Sequence, residues 1–504
     1  MNMELLLISL FLVPLLFFLF IQKHRKNSGI STVPGPAGLP FIGNFHQLDA
    51  SNLHHNLWIL SKKYGPLMSL QLGFRSALVV SSAKMAKEVL KTHDIEFADR
   101  PPFISHQIIS RNGCDLTFSP YNEYWREMRK ICAIHVFSSK RVLSFSSIRD
   151  DEISRMINSI SKIASASKVA NLSDILFSHT SDVFCRIAFS RRYNDEGSAR
   201  SKFHTLLNEV QAVVGGFYFS DYFPFMGWLD SLTGRLALVH KTFKDLDLFL
   251  QETIDEHLDN DKGAPGSSDQ EDITDVLLKL KEDNSFTVAL NMDHIKAILM
   301  DIFVAGTDST AATMVWAMTE LIRNPRATNI LQQELREIIG QKASIDDNDV
   351  QKLTYLKAVV KETLRLHPPA PLMVPHYSSQ KCNVGGYEIK SDTLVYVNIW
   401  AIGRDPGYWE KPEEFLPERF LGNSIDFRGQ DFQFIPFGAG RRSCPATILG
   451  AIIVELALAN LVYSFNWELP DGMKKEDIDM DVKTGVTMHK KNDLLLLPKN
   501  AKQV

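Results

Sequence analysis

Residues 434–450 read FIPFGAGRRSCPATILG, and this stretch constrains the fold more than any other. Glycines at 438 and 440, arginines at 441 and 442 and a single thiol, Cys444, make neither a good strand nor a good hydrophobic core. Pro445 suits a first helical position, where its missing N–H would be unsatisfied anyway. A helix N-terminus and loop N–H groups favour a thiolate, and the two glycines let the backbone approach another group closely. A planar metal cofactor with carboxylate tails needs this combination of thiolate ligand, close backbone and cationic clamp. The alternative is that Cys444 is a small buried hydrophobe at a helix start. The loop alone leaves both readings open.

The other cysteines do not pair with it. Cys114, Cys132, Cys185, Cys382 and Cys444 are an odd, scattered set with no C-x-x-C pair, which fits a reducing compartment and no structural zinc. A net charge of −4 over 504 residues gives no electrostatic case for nucleic acid. The N-terminus departs from this moderate composition. Leu5–Ile21 is uncharged and almost wholly apolar, and KHRK follows at 23–26. As a helix it nearly spans a thin bilayer, with its basic end in the cytosol. A cleaved signal peptide is the alternative, but no basic residue precedes the run and no A-x-A site follows it. The expected organisation is therefore a transmembrane anchor at 3–22, a basic stop-transfer and proline-rich hinge at 23–44, and a body at 45–504. In VPGPAGLP the prolines enforce extended backbone, which reads as a semi-rigid stand-off.

Along the body, apolar residues recur at three- and four-residue spacings in HNLWILSKKYG, AKMAKEVLKTH, TDVLLKLKE, DHIKAILMDIFVAG, AATMVWAMTELIRN and LTYLKAVVKETLRLH. Strand-like alternation is confined to PLMSLQLG with SALVVSS, YEIKSDTLVYVNIW and GVTMHKKNDLLLLP. The polar, acidic 259–272 stretch reads as a surface loop. No phosphate-binding glycine loop and no G-x-G-x-x-G after a strand occurs, so the chain is not expected to bind a nucleotide itself. The expected fold is mainly α with a small β region.

F-x-x-G-x-R-x-C, met by Phe437, Gly440, Arg442 and Cys444, resembles the haem-binding signature of the cytochrome P450 family. Further signatures of that family occur in order: FADRP, W-x-x-x-R at Trp125 and Arg129, A-G-x-D-S at 305–309, E-x-x-R at Glu362 and Arg365, and PERF with Arg419. The resemblance spans the chain, with details similar to plant microsomal A-type members. It implies the cytochrome P450 fold after one transmembrane helix and haem b with Cys444 as axial iron ligand. It also implies cofactor contacts from Trp125, Arg129, His376, Phe437 and Arg442, and a buried structural network of Glu362, Arg365 and Arg419. By the same resemblance, Ala305 and Gly306 are expected to form the groove where oxygen binds, and Asp308 with Ser309 to relay protons. Ser309 stands where threonine is usual, His376 where arginine is common, and Ala446 where glycine is common.

The implied activity is a monooxygenase in the endoplasmic reticulum membrane, with its catalytic domain facing the cytosol. An NADPH-cytochrome P450 reductase supplies electrons, and Arg126, Lys130, Lys140 and Arg141 are candidate docking cations. A haem-thiolate enzyme with no net oxygen insertion and a haem carrier are the rival readings. By position in the family, pocket walls come from residues near Ile104–Ile109, Val213–Phe217, Ile298–Val304, Ala370–Val374 and Gly485–Thr487. These are mostly apolar, which favours a small hydrophobic plant metabolite: alkaloid, terpenoid or phenolic. Asp301 would meet a cationic amine if it faced the cavity.

Overall fold

The apolar periodicities become helices packed around one long central rod. The computed structural model describes residues 33–193, 197–260, 271–283, 286–483 and 485–501. The segment expected as a membrane anchor and most of the 259–272 loop lie outside these residues.

In chain order the principal elements begin with α1 (Leu53–Tyr64), β1 (Leu67–Leu72), β2 (Arg75–Val80), α2 (Ile104–Ile109) and α3 (Glu123–Ile131). There follow α4 (Ser146–Ser165), β3 (Ala170–Asn171), α5 (Leu172–Phe189), α6 (Gly197–Val214), α7 (Arg235–Asn260) and α8 (Ile273–Glu282). Then come α9 (Met292–Arg323), α10 (Pro325–Ile339), α11 (Thr354–Leu366), β4 (His376–Tyr377), β5 (Cys382–Val384), β6 (Tyr387–Ile389) and β7 (Leu394–Val397). The chain closes with α12 (Thr447–Ser464), β8 (Phe465–Glu468), β9 (Val482–Lys483), β10 (His489–Lys490) and β11 (Leu495–Asn500).

The two motifs DHIKAILMDIFVAG and AATMVWAMTELIRN form one 32-residue helix, α9, opened by a reciprocal cap between Asn291 and His294. It packs on α5, α11 and α12. Both α9 and α12 are long and apolar enough to cross a membrane, yet 72% and 67% of their most apolar windows are buried, so here they are core.

The β region is small, as expected. Its largest sheet has the order β1-β2-β7-β4, with β2 parallel to β7 from Ala77 opposite Leu394 to Val80 opposite Val397. That pairing joins the first hundred residues to the last quarter of the chain. β8, which no alternation announced, pairs with β11. The proline-rich segment is extended, as expected, but docked along β1 from residue 33 onward. Ser69 N donates to Pro34 O at 2.8 Å, and Asn44 N donates to Gln71 O at 2.6 Å. Free carbonyls of the extended prolines satisfy an edge strand, so the body begins about ten residues before the expected boundary.

Glu362, Arg365 and Arg419 form the buried network that the resemblance implies. Glu362 accepts from Arg365 at 2.7 and 2.8 Å and from Arg419 at 3.0 Å. Arg365 also donates to the carbonyls of Gly403, Pro412 and Glu414. This ties α11 to the segment leading into the cysteine loop.

Candidate active site

The loop before α12 curls so that Cys444 N donates to Phe437 O at 2.8 Å. Gly438 and Gly440 take φ of +76° and +69°. A side chain at Gly440 would collide with the Leu90 carbonyl and Asp94. The helix begins at Thr447, two residues later than Pro445 suggests, and Pro445 sits in the turn before it. Ala446 is the cap residue at φ −96°, which an alanine adopts without strain, so its departure from glycine is benign. Burial pushes the Cys444 thiol up, opposed by the Ala446 N–H, the Arg129 cation and the Thr447 hydroxyl. A metal cation facing the sulfur would decide this balance for thiolate.

Facing the thiol across one cavity is the middle of α9: Ala305, Gly306, Ser309, Thr310 and Thr313. Ser309 Oγ donates back to Ala305 O at 2.7 Å, a bond that holds the hydroxyl in the groove. Asp308 does not line this cavity. It turns toward β10, where Oδ1 meets His489 Nε2 at 2.7 Å. Asp301 does line it, but both carboxylate oxygens are engaged. Leu116 N and Thr117 Oγ1 each donate to it at 2.7 Å. Asp301 therefore anchors the loop before α3 and is not a free counter-ion for an amine. Burial pushes both Asp301 and the neighbouring Asp115 up.

Cations gather at the cavity edge. Arg442 donates to Ala98 O and Ser119 O at 2.6 Å and lies 4.2 Å over the Trp125 ring. Trp125 Nε1 donates to Leu116 O, and Arg129 donates to Ser443 O at 2.6 Å. Arg100, from FADRP, is buried and donates to the carbonyls of Thr117, Val374 and Pro375. Its role was missed in the sequence, although an arginine placed just before two prolines was the available signal. Among the described residues no carboxylate ion-pairs with Arg100, Arg129 or Arg442. Burial holds Arg442 down at about 10 and Arg100 below its usual range. Buried cations without counter-ions are costly, so this edge is suited to an anionic group. His376 also lines the cavity, but its Nδ1 donates to Phe97 O at 2.8 Å, and burial keeps the ring neutral. Its one donor is spent within the protein, leaving Nε2 as an acceptor.

The remaining walls follow the expected stretches in part. Ile109, Ile298, Val304, Ala370, Val374 and Thr487 line the cavity. Of the 213–217 stretch only Val214 does, joined by Val210 and Gln211 one turn earlier, while Phe217 lies 37% exposed at the surface. Phe118, Phe137 and Phe184 complete the walls and were not anticipated.

The family profile described as Cytochrome P450 matches residues 33–497. The chain belongs to the cytochrome P450 family. P450s of this family and fold bind haem b. The cavity-facing thiol, the glycine-lined approach and three arginines without a carboxylate partner at the cavity edge fit that group and its two carboxylates. A zebra fish cytochrome P450 solved with abiraterone superposes with a TM-score of 0.74 at 26% identity, covering 89% of this chain and 99% of that one. Among curated proteins, 6,7,8-trihydroxycoumarin synthase of Pastinaca sativa is 46% identical over 98% of both chains. The 5-OH-xanthotoxin synthase of the same plant is also 46% identical, over 98% of both chains. Cytochrome P450 71A1 of Persea americana is 46% identical over 99% of each. This P450 is thus a monooxygenase similar to plant A-type members.

Proposed function

We propose that this P450 hydroxylates a small, neutral, flat plant phenolic of the coumarin class, using dioxygen and electrons passed from NADPH by a membrane-bound reductase. The carrying observation is the cavity between Cys444 and α9, walled by three phenylalanines and carrying no free anion once Asp301 is committed to its loop. A cationic alkaloid would find no partner there, whereas a planar aromatic lactone stacks on the phenylalanine walls. The names of the two Pastinaca relatives, both synthases of hydroxylated coumarins, support the same class.

When bound, haem supplies dioxygen activation and transfer of one oxygen atom, with Cys444 as the thiolate donor. The protein's own residues do the rest. Arg100, Arg129 and Arg442 would hold the carboxylates, Trp125 braces Arg442 with its ring face, and Phe437 lies beside the thiol. Phe118, Phe137 and Phe184 exclude water and present one face of the substrate to the groove. Ala305 and Gly306 bound that groove, and Ser309 holds a hydroxyl at its rim. Asp308, next to it in the chain, is turned to His489 outside the cavity. Exposed Arg126 and Lys140 offer cations to an acidic reductase face, while Lys130 and Arg141 are paired with Glu127 and Glu271. An anchor at 3–22 in the endoplasmic reticulum membrane places the body on the cytosolic side.

Two measurements test this. The reduced protein with carbon monoxide is expected to show a strongly red-shifted Soret band that Cys444→Ala abolishes; a band typical of histidine ligation would overturn the axial assignment. With reductase, NADPH and a coumarin panel under labelled dioxygen, one labelled atom is expected per product molecule. Turnover without label would favour rearrangement or coupling instead.

A further inference from the structure

Leu207, Val210, Gln211 and Val214 follow one another at the spacing of a single helix face along α6. Leu207 and Val210 are 2% and 1% exposed, and Val210 and Val214 line the cavity. At 211, where the period calls for another apolar side chain, the chain carries an amide. Gln211 is half-buried and lines the cavity, and its side chain has no hydrogen-bond partner among the described residues. Most other polar side chains of the wall are committed. Thr117 Oγ1 donates to Asp301 at 2.7 Å, Ser309 Oγ to Ala305 O at 2.7 Å and Thr313 Oγ1 to Ser309 O at 2.9 Å. His376 and Trp125 spend their N–H groups on Phe97 O and Leu116 O. Apart from the arginines at the cofactor edge, Gln211 is the one uncommitted side-chain nitrogen donor of the cavity among the described residues; Thr310 and Thr487 add hydroxyls only. The turn that follows it is pinned. Gly215 N donates to Gln211 O at 3.0 Å, His106 Nε2 donates to Val214 O at 3.3 Å, and a Cβ on Gly215 would stand 3.3 Å from Val486.

We propose that Gln211 is a specificity-determining residue whose Nε2–H donates to the lactone carbonyl of the substrate, an assignment that rests on the coumarin reading above. An amide shut into an apolar wall without a partner is costly, so a ligand that supplies the acceptor is favoured over one that does not. The lactone carbonyl suits this donor, because that oxygen only accepts and carries no charge. With the carbonyl held at α6, the benzenoid ring is the part left to reach the α9 groove at Ala305 and Gly306. Hydroxylation then falls on benzenoid carbons and spares the lactone. Because the last turn of α6 is pinned by His106 and by the close approach of Val486, the amide is presented from a fixed helix, and the bond orients the substrate as well as holding it. Flat hydrocarbons are rejected by the same logic: they can fill the phenylalanine walls but leave the Gln211 amide dry and unpaired.

The test uses Gln211→Met, which keeps the length of the side chain and its place in the helix but removes the amide. Affinities of the full chain, native and variant, are measured by equilibrium dialysis with coumarin and with chromene, in which a methylene replaces the carbonyl. Gln211→Met is expected to weaken coumarin relative to chromene by about threefold to tenfold, while the reduced-carbon-monoxide band stays native. With reductase and NADPH, the native chain is expected to place hydroxyl on the benzenoid ring of coumarin, and the variant to spread it onto the lactone ring as well. An unchanged affinity ratio, or an unchanged product position, overturns the assignment and passes the carbonyl to Thr310 or Thr487. Failure of the native chain to bind coumarin at all would sink the substrate reading by itself. Gln211 is then decided on tetralone against tetralin, which carry the same carbonyl-or-methylene difference without a lactone. A ratio that Gln211→Met lowers upholds the donor role there, and a ratio that it leaves unchanged overturns it.

Discussion

A methyl group placed on Gly306 would meet the Phe184 ring at 2.5–2.8 Å. The glycine in the A-G-x-D-S motif therefore has a packing reason in this chain beyond the groove it leaves. Phe184, on α5, is buried and lines the cavity, so any push at Gly306 is felt by a substrate-facing ring. Alanine would gain up to about 1 kcal/mol of helix propensity, but overpacking a filled core typically costs about 1–3 kcal/mol. Gly306→Ala is thus expected to lower stability by roughly 1 kcal/mol and to weaken binding of flat substrates. Adding Phe184→Leu should recover much of both. Urea unfolding and spectral substrate titration read the two effects, and a single variant that unfolds and binds like the native chain would show that Phe184 moves aside freely.

Between elements, His257 joins the end of α7 to the start of α8. Its Nδ1 meets Thr253 O at 2.7 Å and its Nε2 meets Asp272 Oδ2 at 2.8 Å, while Asp272 caps α8. Both ring nitrogens face oxygen acceptors, which fixes an imidazolium and leaves no lone pair for a metal, despite Asp275 nearby. Burial alone would push this histidine down, but the Asp272 carboxylate overrides it and holds it up at about 9. A folded-state value raised above 6.5 means that the stabilisation is fully present below about pH 6.5 and fades as pH rises through about 9. Its size is on the order of 1–2 kcal/mol after allowing for solvent screening. Urea midpoints measured from pH 6 to 10 should fall with pH in the native chain and flatten in His257→Gln; parallel curves would remove His257 as the cause. This ion pair was not legible in the sequence, because it depends on how two helices end beside each other. The same limit hid His489 from Asp308, 181 residues apart, and Phe184 from Gly306. What could be read was local: the cysteine loop, whose glycines and arginines act on their neighbours, and the helices, whose periodicity is intrinsic. E-x-x-R was legible as a pair, whereas Arg419 joined it only through the family resemblance. Asp301 shows the opposite error, since its position on α9 was read correctly but not the loop that takes up its charge.

At the scale of the whole molecule, one face carries an unusual amount of exposed apolar surface. Phe225, Trp228 and Leu232 are 83%, 62% and 74% exposed, and Phe74, Phe41 and Ile42 adjoin them. The patch is continuous: Phe74 packs edge-on to Phe225 at 6.3 Å, and Gly73 N donates to Ile42 O. Isolated exposed apolar residues are ordinary, but a contiguous group with four aromatics marks an interaction surface. Lipid is the occupant that the rest of the chain argues for. The segment from residue 33 runs along β1 to this face, so the apolar stretch at Leu5–Ile21 and the basic KHRK lead into it from the sequence side. Anchor and patch would then engage one membrane together, two modest contacts acting as one through a short tether. A chain lacking residues 1–32 is accordingly expected to bind phospholipid vesicles on its own. Phe225→Asp with Trp228→Asp should remove about 2 kcal/mol or more of that binding, over tenfold in affinity. Because both side chains are already in water, unfolding in urea should stay within about 0.5 kcal/mol of native. Vesicle sedimentation with and without the two substitutions decides it: equal sedimentation would place the patch away from the bilayer and leave attachment to the N-terminal apolar stretch alone.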